Sequence, residues 1–124
     1  MTTTPAPAHG LDHPAYDDFL HYLATGEDPH GRISPDVVAA MTFPHVTFRL
    51  VGKAAFDEGR DRVSEHPWQL ERHEVLATDA GFVAVVGATA VTRDGGTMRT
   101  HTITLVTLTD GIVTSLQHWS SGAL

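Results

Sequence analysis

Nine histidines and no cysteine set the chemistry open to this 124-residue chain. Imidazole is the side chain whose ordinary pKa lies nearest neutrality, so it can both give and take a proton there. The lack of thiols excludes disulfide scaffolds, zinc–thiolate sites, iron–sulfur clusters and cysteine nucleophiles. No His-x-His pair occurs, and no Gly-rich phosphate loop or nucleotide fingerprint is present. Neither a metal nor a cofactor is expected. Three histidines fall in runs that alternate as strands do. Thr114, Leu116 and His118 share one face by parity, His101 goes with Ile103 and Leu105, and His73 goes with Val75 and Ala77. Each has a plainer reading, as a packed, hydrogen-bonded or exposed ring. Thr100, Thr102 and Thr104 form a fourth set. They are good strand formers, and they could also line a pocket with hydroxyls.

Charge and composition narrow the partners. Lys and Arg total 8 against 15 Asp and Glu, a net charge of −7. That field repels phosphate and argues against nucleic acid and an anionic membrane surface. With 41% hydrophobic residues the chain can bury one core, and its length fits one domain. The opening MTTTPAPAHGLDHP has neither a basic nor an apolar segment of a secretory signal. No run is long enough to span a bilayer. A cytoplasmic protein is expected, with residues 1–13 as a flexible tail and 14–124 as one domain.

The elements that must hold these residues follow from periodicity. Pro14 suits a helix start, Tyr16, Phe19, Leu20 and Leu23 recur at helical spacing, and Gly26 ends the helix. Ser34-Pro35-Asp36 reads as the start of a second short helix that buries Val37, Val38 and Met41 and stops at Pro44. His45–Val51 alternates as a strand with Val46, Phe48 and Leu50 on one side. Residues 55–65 form a polar helix with Phe56 and Val63 inward; Asp57, Glu58, Arg60, Asp61, Arg62 and Glu65 read as its solvated face. Four strands follow: 69–78, 82–93, 97–109 and 112–119. Asp94-Gly95-Gly96 and Asp110-Gly111 make strong hairpin turns between the last three. Helices first and an antiparallel meander second is an α+β pattern. Long twisted strands with short helices predict a cone-shaped sheet curled round the N-terminal helices, an α+β barrel enclosing a pocket.

The closing segment LVTLTDGIVTSLQHW resembles the C-terminal signature of the SnoaL-like and nuclear transport factor 2-like superfamily. LHYLATGED is similar to that superfamily's first helix and its ending. HVTFRLVGKAAFDEGRDRV is similar to its first strand and the following helix, so the resemblance covers about residues 14–120. It implies a cystatin-like α+β barrel and an activity such as polyketide cyclisation, ketosteroid isomerisation, epoxide hydrolysis or dehydration, or else a non-catalytic binding or dimerisation domain.

Carried over residue by residue, the known machineries match poorly. The isomerase oxyanion-hole acid falls near Thr104, its general base near Leu50 and its helix tyrosine near Phe19. The Asp–Arg–Asp set of epoxide hydrolases has no counterpart in 82–92. The cyclase "HWD" aspartate falls near His118 or Ser120, and neither is a carboxylate. The resemblance turns His118 toward the cavity and His101 away from it, unless a β-bulge reverses the strand. His118 is the expected acid/base, with Thr104 and His101 orienting the substrate. Phe19, Val46, Phe48, Leu50, Trp68, His73 and Leu116 are expected to bind it. The expected partner is a small, largely apolar, carbonyl-bearing metabolite. The alternative is a binding or dimerisation domain of the same fold. An apolar convex face (Ile103, Leu105, Val113, Trp119) leads to the expectation of a homodimer.

Overall fold

A computed structural model describes residues 14–63 and 66–121; the expectation of a tail at 1–13 lies outside the described residues. The elements run α1 Pro14–Thr25, β1 Ile33–Phe43, β2 Val46–Val51, α2 Lys53–Val63, β3 Gln69–Ala77, β4 Gly81–Val91, β5 Thr97–Thr109 and β6 Ile112–Ser120. One six-stranded sheet has the order β2-β1-β6-β5-β4-β3. All neighbours are antiparallel except β1 and β6, which run parallel. The sheet is curved and does not close, and the helices lie on its concave side. This is the expected α+β class.

Helix α1 ends where its sequence says it should. Gly26 adopts φ +79° and its amide returns to Tyr22 O at 2.8 Å, the left-handed stop that glycine takes without a Cβ clash. The Asp110-Gly111 turn has positive φ at both residues, 52° and 79°. That is the type I′ geometry matched to strand twist. Gly81 opens β4 for a different reason, since a Cβ there would lie 2.1 Å from Val106 O.

The expected helix at 34–43 is wrong: the segment is strand β1. Val37, Ala39 and Met41 are buried while Val38, Ala40 and Thr42 are less so, a period of two. Adjacent β-branched valines favour a strand. Pro35 sits in the irregular stretch between Ile33 and Val38, where the β1–β6 ladder shifts register and its missing N–H costs no ladder bond. Two neighbours, one of them about 75 residues away in sequence, outweigh the local Ser-Pro-Asp signal.

The register stacks side chains in rungs on the concave face. One rung crosses all six strands: Val75, Ala84, Thr104, His118, Met41 and Phe48. The rung before it is Phe82, Val106, Leu116, Ala39 and Leu50. Helix α1 covers that rung through Phe19, whose ring meets Phe82 edge-on at 5.5 Å, and through Tyr16, which does the same at 4.7 Å. Helix α2 closes on α1 by stacking Phe56 against Tyr22. The Tyr22 hydroxyl donates to Asp57 Oδ1 at 2.5 Å. Burial, and then the carboxylate, pushes that phenol's pKa up.

A register shift between Thr107 and Leu108 is a β-bulge that changes the phase of β6. Val113, expected on the convex face, is fully buried as a result. Thr114 leaves the Leu116–His118 face and meets Thr109 Oγ1 at 3.0 Å. The convex side keeps Ile103 and Trp119 exposed and directly paired. Among the described residues no helix is long and apolar enough to cross a membrane.

Candidate functional site

From the His118 rung onward a cavity of about 940 Å³ lies between the sheet and the helices. Its walls are mainly apolar. Met41, Phe43, Phe48 and Leu50 come from β1 and β2, Leu23 and Phe56 from the helices, and Val86, Ala88 and Met98 from β4 and β5. Phe43 and Phe48 stack with rings 6° apart, and His118 lies tilted beside Phe43 at 6.3 Å.

His118 is 9% exposed and lines this cavity. Its backbone sits between those of Thr104 on β5 and Met41 on β1. Thr104 is wholly buried, and its Oγ1 hydrogen-bonds His118 Nδ1 at 2.8 Å. The hydroxyl can serve either tautomer, donating to a bare Nδ1 or accepting from a protonated one. Either way Nδ1 is engaged and Nε2 is left for whatever enters the hollow. Burial pushes the imidazole pKa down to about 4, because the charged form loses its water. At neutral pH the ring is uncharged. It can accept a proton through one nitrogen or donate a hydrogen bond, but it is no standing cation.

The structure separates the other expected residues. Phe48, Leu50 and Trp68 line the cavity, and Thr100 and Thr102 add hydroxyls from β5. Leu116 shares the concave face with His118 but belongs to the rung that α1 covers. It is 2% exposed and is core, not pocket wall. Phe19 is likewise fully buried against Phe82. Val46 begins an edge strand and is 42% exposed, away from the cavity lining. His73 pairs with Val86, which turns it to the concave side, yet β3 is an edge strand and the ring is exposed. His101 lies opposite Gly87 on the outer face and is exposed; no bulge reverses β5 there. It therefore stands apart from the pocket.

Some lining residues carry misleading local signals. Met41 and Phe43 lie in the segment whose Ser-Pro-Asp start reads as a helix, which hides their place beside His118. Arg60, in a run that reads as a solvated face, has a side chain only 15% exposed and lines the cavity with Phe56 and Gly59. The spacing i, i+3, i+4 of Phe56, Gly59 and Arg60 marks one helix face and was the available signal. Among the described residues no cluster of three or more His, Asp or Glu is placed to hold a metal ion.

No family model matches the sequence, and no curated protein matches it. Solved structures do share its fold. An NTF2-like protein from Anabaena variabilis superposes with a TM-score of 0.69 at 17% identity, over 99% of this chain and 96% of that one. A candidate SnoaL-like polyketide cyclase from Mesorhizobium loti gives 0.60 at 14% identity, over 84% and 94%. A candidate ketosteroid isomerase from Kribbella flavida gives 0.57 at 22% identity, over 89% and 77%. The fold is thus the NTF2-like and SnoaL-like one that the closing strands resemble. Likeness at these identities fixes the architecture and leaves the chemistry to the residues.

Proposed function

We propose that the protein takes a small, largely apolar, carbonyl-bearing metabolite into this cavity and carries out cofactor-free proton transfer on it: isomerisation, cyclisation or dehydration. The observation that supports this reading is a buried imidazole at the wall of an apolar hollow, with Nδ1 tied to Thr104, which leaves Nε2 as the nitrogen to meet an occupant. A bonded Nδ1 fixes the ring's orientation, so the reacting nitrogen is set before the substrate arrives.

In this reading Nε2 removes a proton from a carbon next to the carbonyl, and the electron pair moves to the carbonyl oxygen. An imidazolium alone would be costly in the cavity. An imidazolium beside the enolate just formed is a pair, and the attraction is strong where water is excluded. The same proton can return at another carbon, which completes an isomerisation. Phe43, Phe48 and Leu50 hold the apolar body, and Thr100 and Thr102 offer hydroxyls to polar atoms. Thr104 is a positioning residue, since it acts through His118.

The second reading is a binding domain of the same fold. It draws support from the carboxylate bases absent at the positions near Leu50 and Ser120. One assay separates the two without knowledge of the natural substrate. Apolar cyclic ketones and enones are incubated in D2O, and loss of the α-hydrogens is followed by NMR. The expected result is accelerated exchange that His118→Asn abolishes while the ketone's affinity is kept. Binding without any acceleration in the parent protein would favour the binding domain.

A further inference from the structure

Among the described residues, five charged side chains line the cavity: Glu58, Arg60, Arg62, Arg93 and Asp94. Four are engaged by the protein itself. Arg62 pairs with Glu58 at 2.6 Å, Arg93 Nε donates to Asp61 O at 2.7 Å, and Asp94 accepts from Thr92 Oγ1 and the Gly96 amide. Arg60 differs. Its contact with an acid is long, Nη2 to Asp61 Oδ1 at 3.5 Å, and that Asp61 is 63% exposed. Its Nε is sealed from water and has no hydrogen-bond partner.

The Trp68 indole Nε1 is sealed and unpartnered in the same way, and Trp68 also lines the cavity. Both residues meet the end of α1. The Trp68 amide donates to Ala24 O at 2.7 Å, and the Arg60 guanidinium fills the space that a Cβ on Gly26 would need. The negative end of α1 attracts the guanidinium, which accounts for its place. That attraction gives Nε no acceptor. A guanidinium mostly out of water, with no carboxylate among the described residues in bidentate reach, is one half of an ion pair.

We infer that the cavity's ligand is an amphipathic monocarboxylate. Its carboxylate engages Arg60 with the Trp68 indole N–H as a further donor, and its apolar body runs along Phe48 and Met41 toward His118. One guanidinium and one neutral donor complement a single planar negative charge. Among the described residues the lining carries Arg60, Arg62 and Arg93 against Glu58 and Asp94, and Arg62 is already paired with Glu58; that small positive excess, in a chain whose net charge is −7, suits one negative charge better than a phosphate dianion. Because both nitrogens are sealed, engagement includes a small rotation of each side chain. The inference rests on the cavity's being a binding site, as proposed above, and goes beyond it to the charge of the ligand.

The test is calorimetric titration at pH 7 with two probes of one shape, 4-phenylbutanoate and 4-phenylbutanamide. The acid is expected to bind about ten- to a hundredfold more tightly than the amide. Arg60→Gln is expected to remove that preference and leave the amide's affinity unchanged; Arg60→Lys retains part of it. Equal binding of both probes by the parent protein, or a preference that survives Arg60→Gln, overturns the carboxylate assignment and leaves the cavity reading standing. Binding of neither probe overturns both. Should Arg60→Gln fail to fold, the comparison within the parent protein still decides.

Discussion

Thr104 and His118 face each other across the β5–β6 ladder and join their side chains at 2.8 Å, Oγ1 to Nδ1, inside the sheet's concave wall. The backbone pairing sets the distance, so the hydroxyl and the ring need no loop to bring them together. Their rung lies at the boundary between the part of the sheet covered by α1 and the part left open. One nitrogen of the ring is therefore held by the core and the other is offered to the hollow.

Thr104→Val tests the holding half. The substitution keeps the shape and removes the hydroxyl, leaving Nδ1 buried without a partner. Chemical denaturation should show a loss of about 1–3 kcal/mol, and Thr104→Ser should recover most of it. In the deuterium-exchange assay the valine variant should lower the rate more than the affinity.

The lowered pKa of His118 makes stability depend on pH. The unfolded ring takes a proton near pH 6.5, and the folded one only near 4. The unfolded state therefore binds more protons between these values. This contribution is fully present above about 6.5, is lost as pH falls toward 4, and is flat below that. Its size is about 3 kcal/mol. Comparing the denaturation midpoints of the parent and His118→Asn across this range isolates it from the carboxylates. The parent should lose the extra stability and the variant should not.

Tyr22→Phe tests how the two helices are clamped over the sheet. It removes the hydroxyl bonded to Asp57, and Lys53, 3.4 Å from that carboxylate, is left as its cationic partner. A loss of about 1–2 kcal/mol is expected by thermal or chemical denaturation, with the aromatic stack on Phe56 kept.

Gly81→Ala should be as harmful as a core change although it adds one methyl. The Cβ would meet the Val106 carbonyl, a backbone atom of β5 held in the ladder between β4 and β6. A fall of about 1–3 kcal/mol in unfolding free energy is the expected outcome, read by denaturation.

Helix α1 and the two hairpins were legible because their signals are local: the spacing of Tyr16, Phe19, Leu20 and Leu23, the stop at Gly26, and the turns at Gly95 and Gly111. Segment 33–43 was not, because its strand character comes from pairing with β6 far along the chain while Ser-Pro-Asp imitates a helix cap. Parity along β6 put His118 on one face with Leu116, and the family resemblance turned that face toward the cavity. The same parity misplaced Val113 and Thr114, since one bulge shifts the phase between them and Leu116. Parity also could not separate Leu116 from His118. They share a face, and only the reach of α1 makes one of them core and the other cavity wall.

The most direct measurement is NMR of the His118 ring nitrogens in imidazole-labelled protein, titrated from pH 8 to pH 4 and then mixed at pH 7 with an apolar ketone. The ring should stay neutral until the pH approaches about 4, with Nε2 shifting on addition of the ketone and Nδ1 little changed. A ring that titrates near the ordinary histidine value of about 6.5 and ignores the ketone would contradict the role proposed for His118.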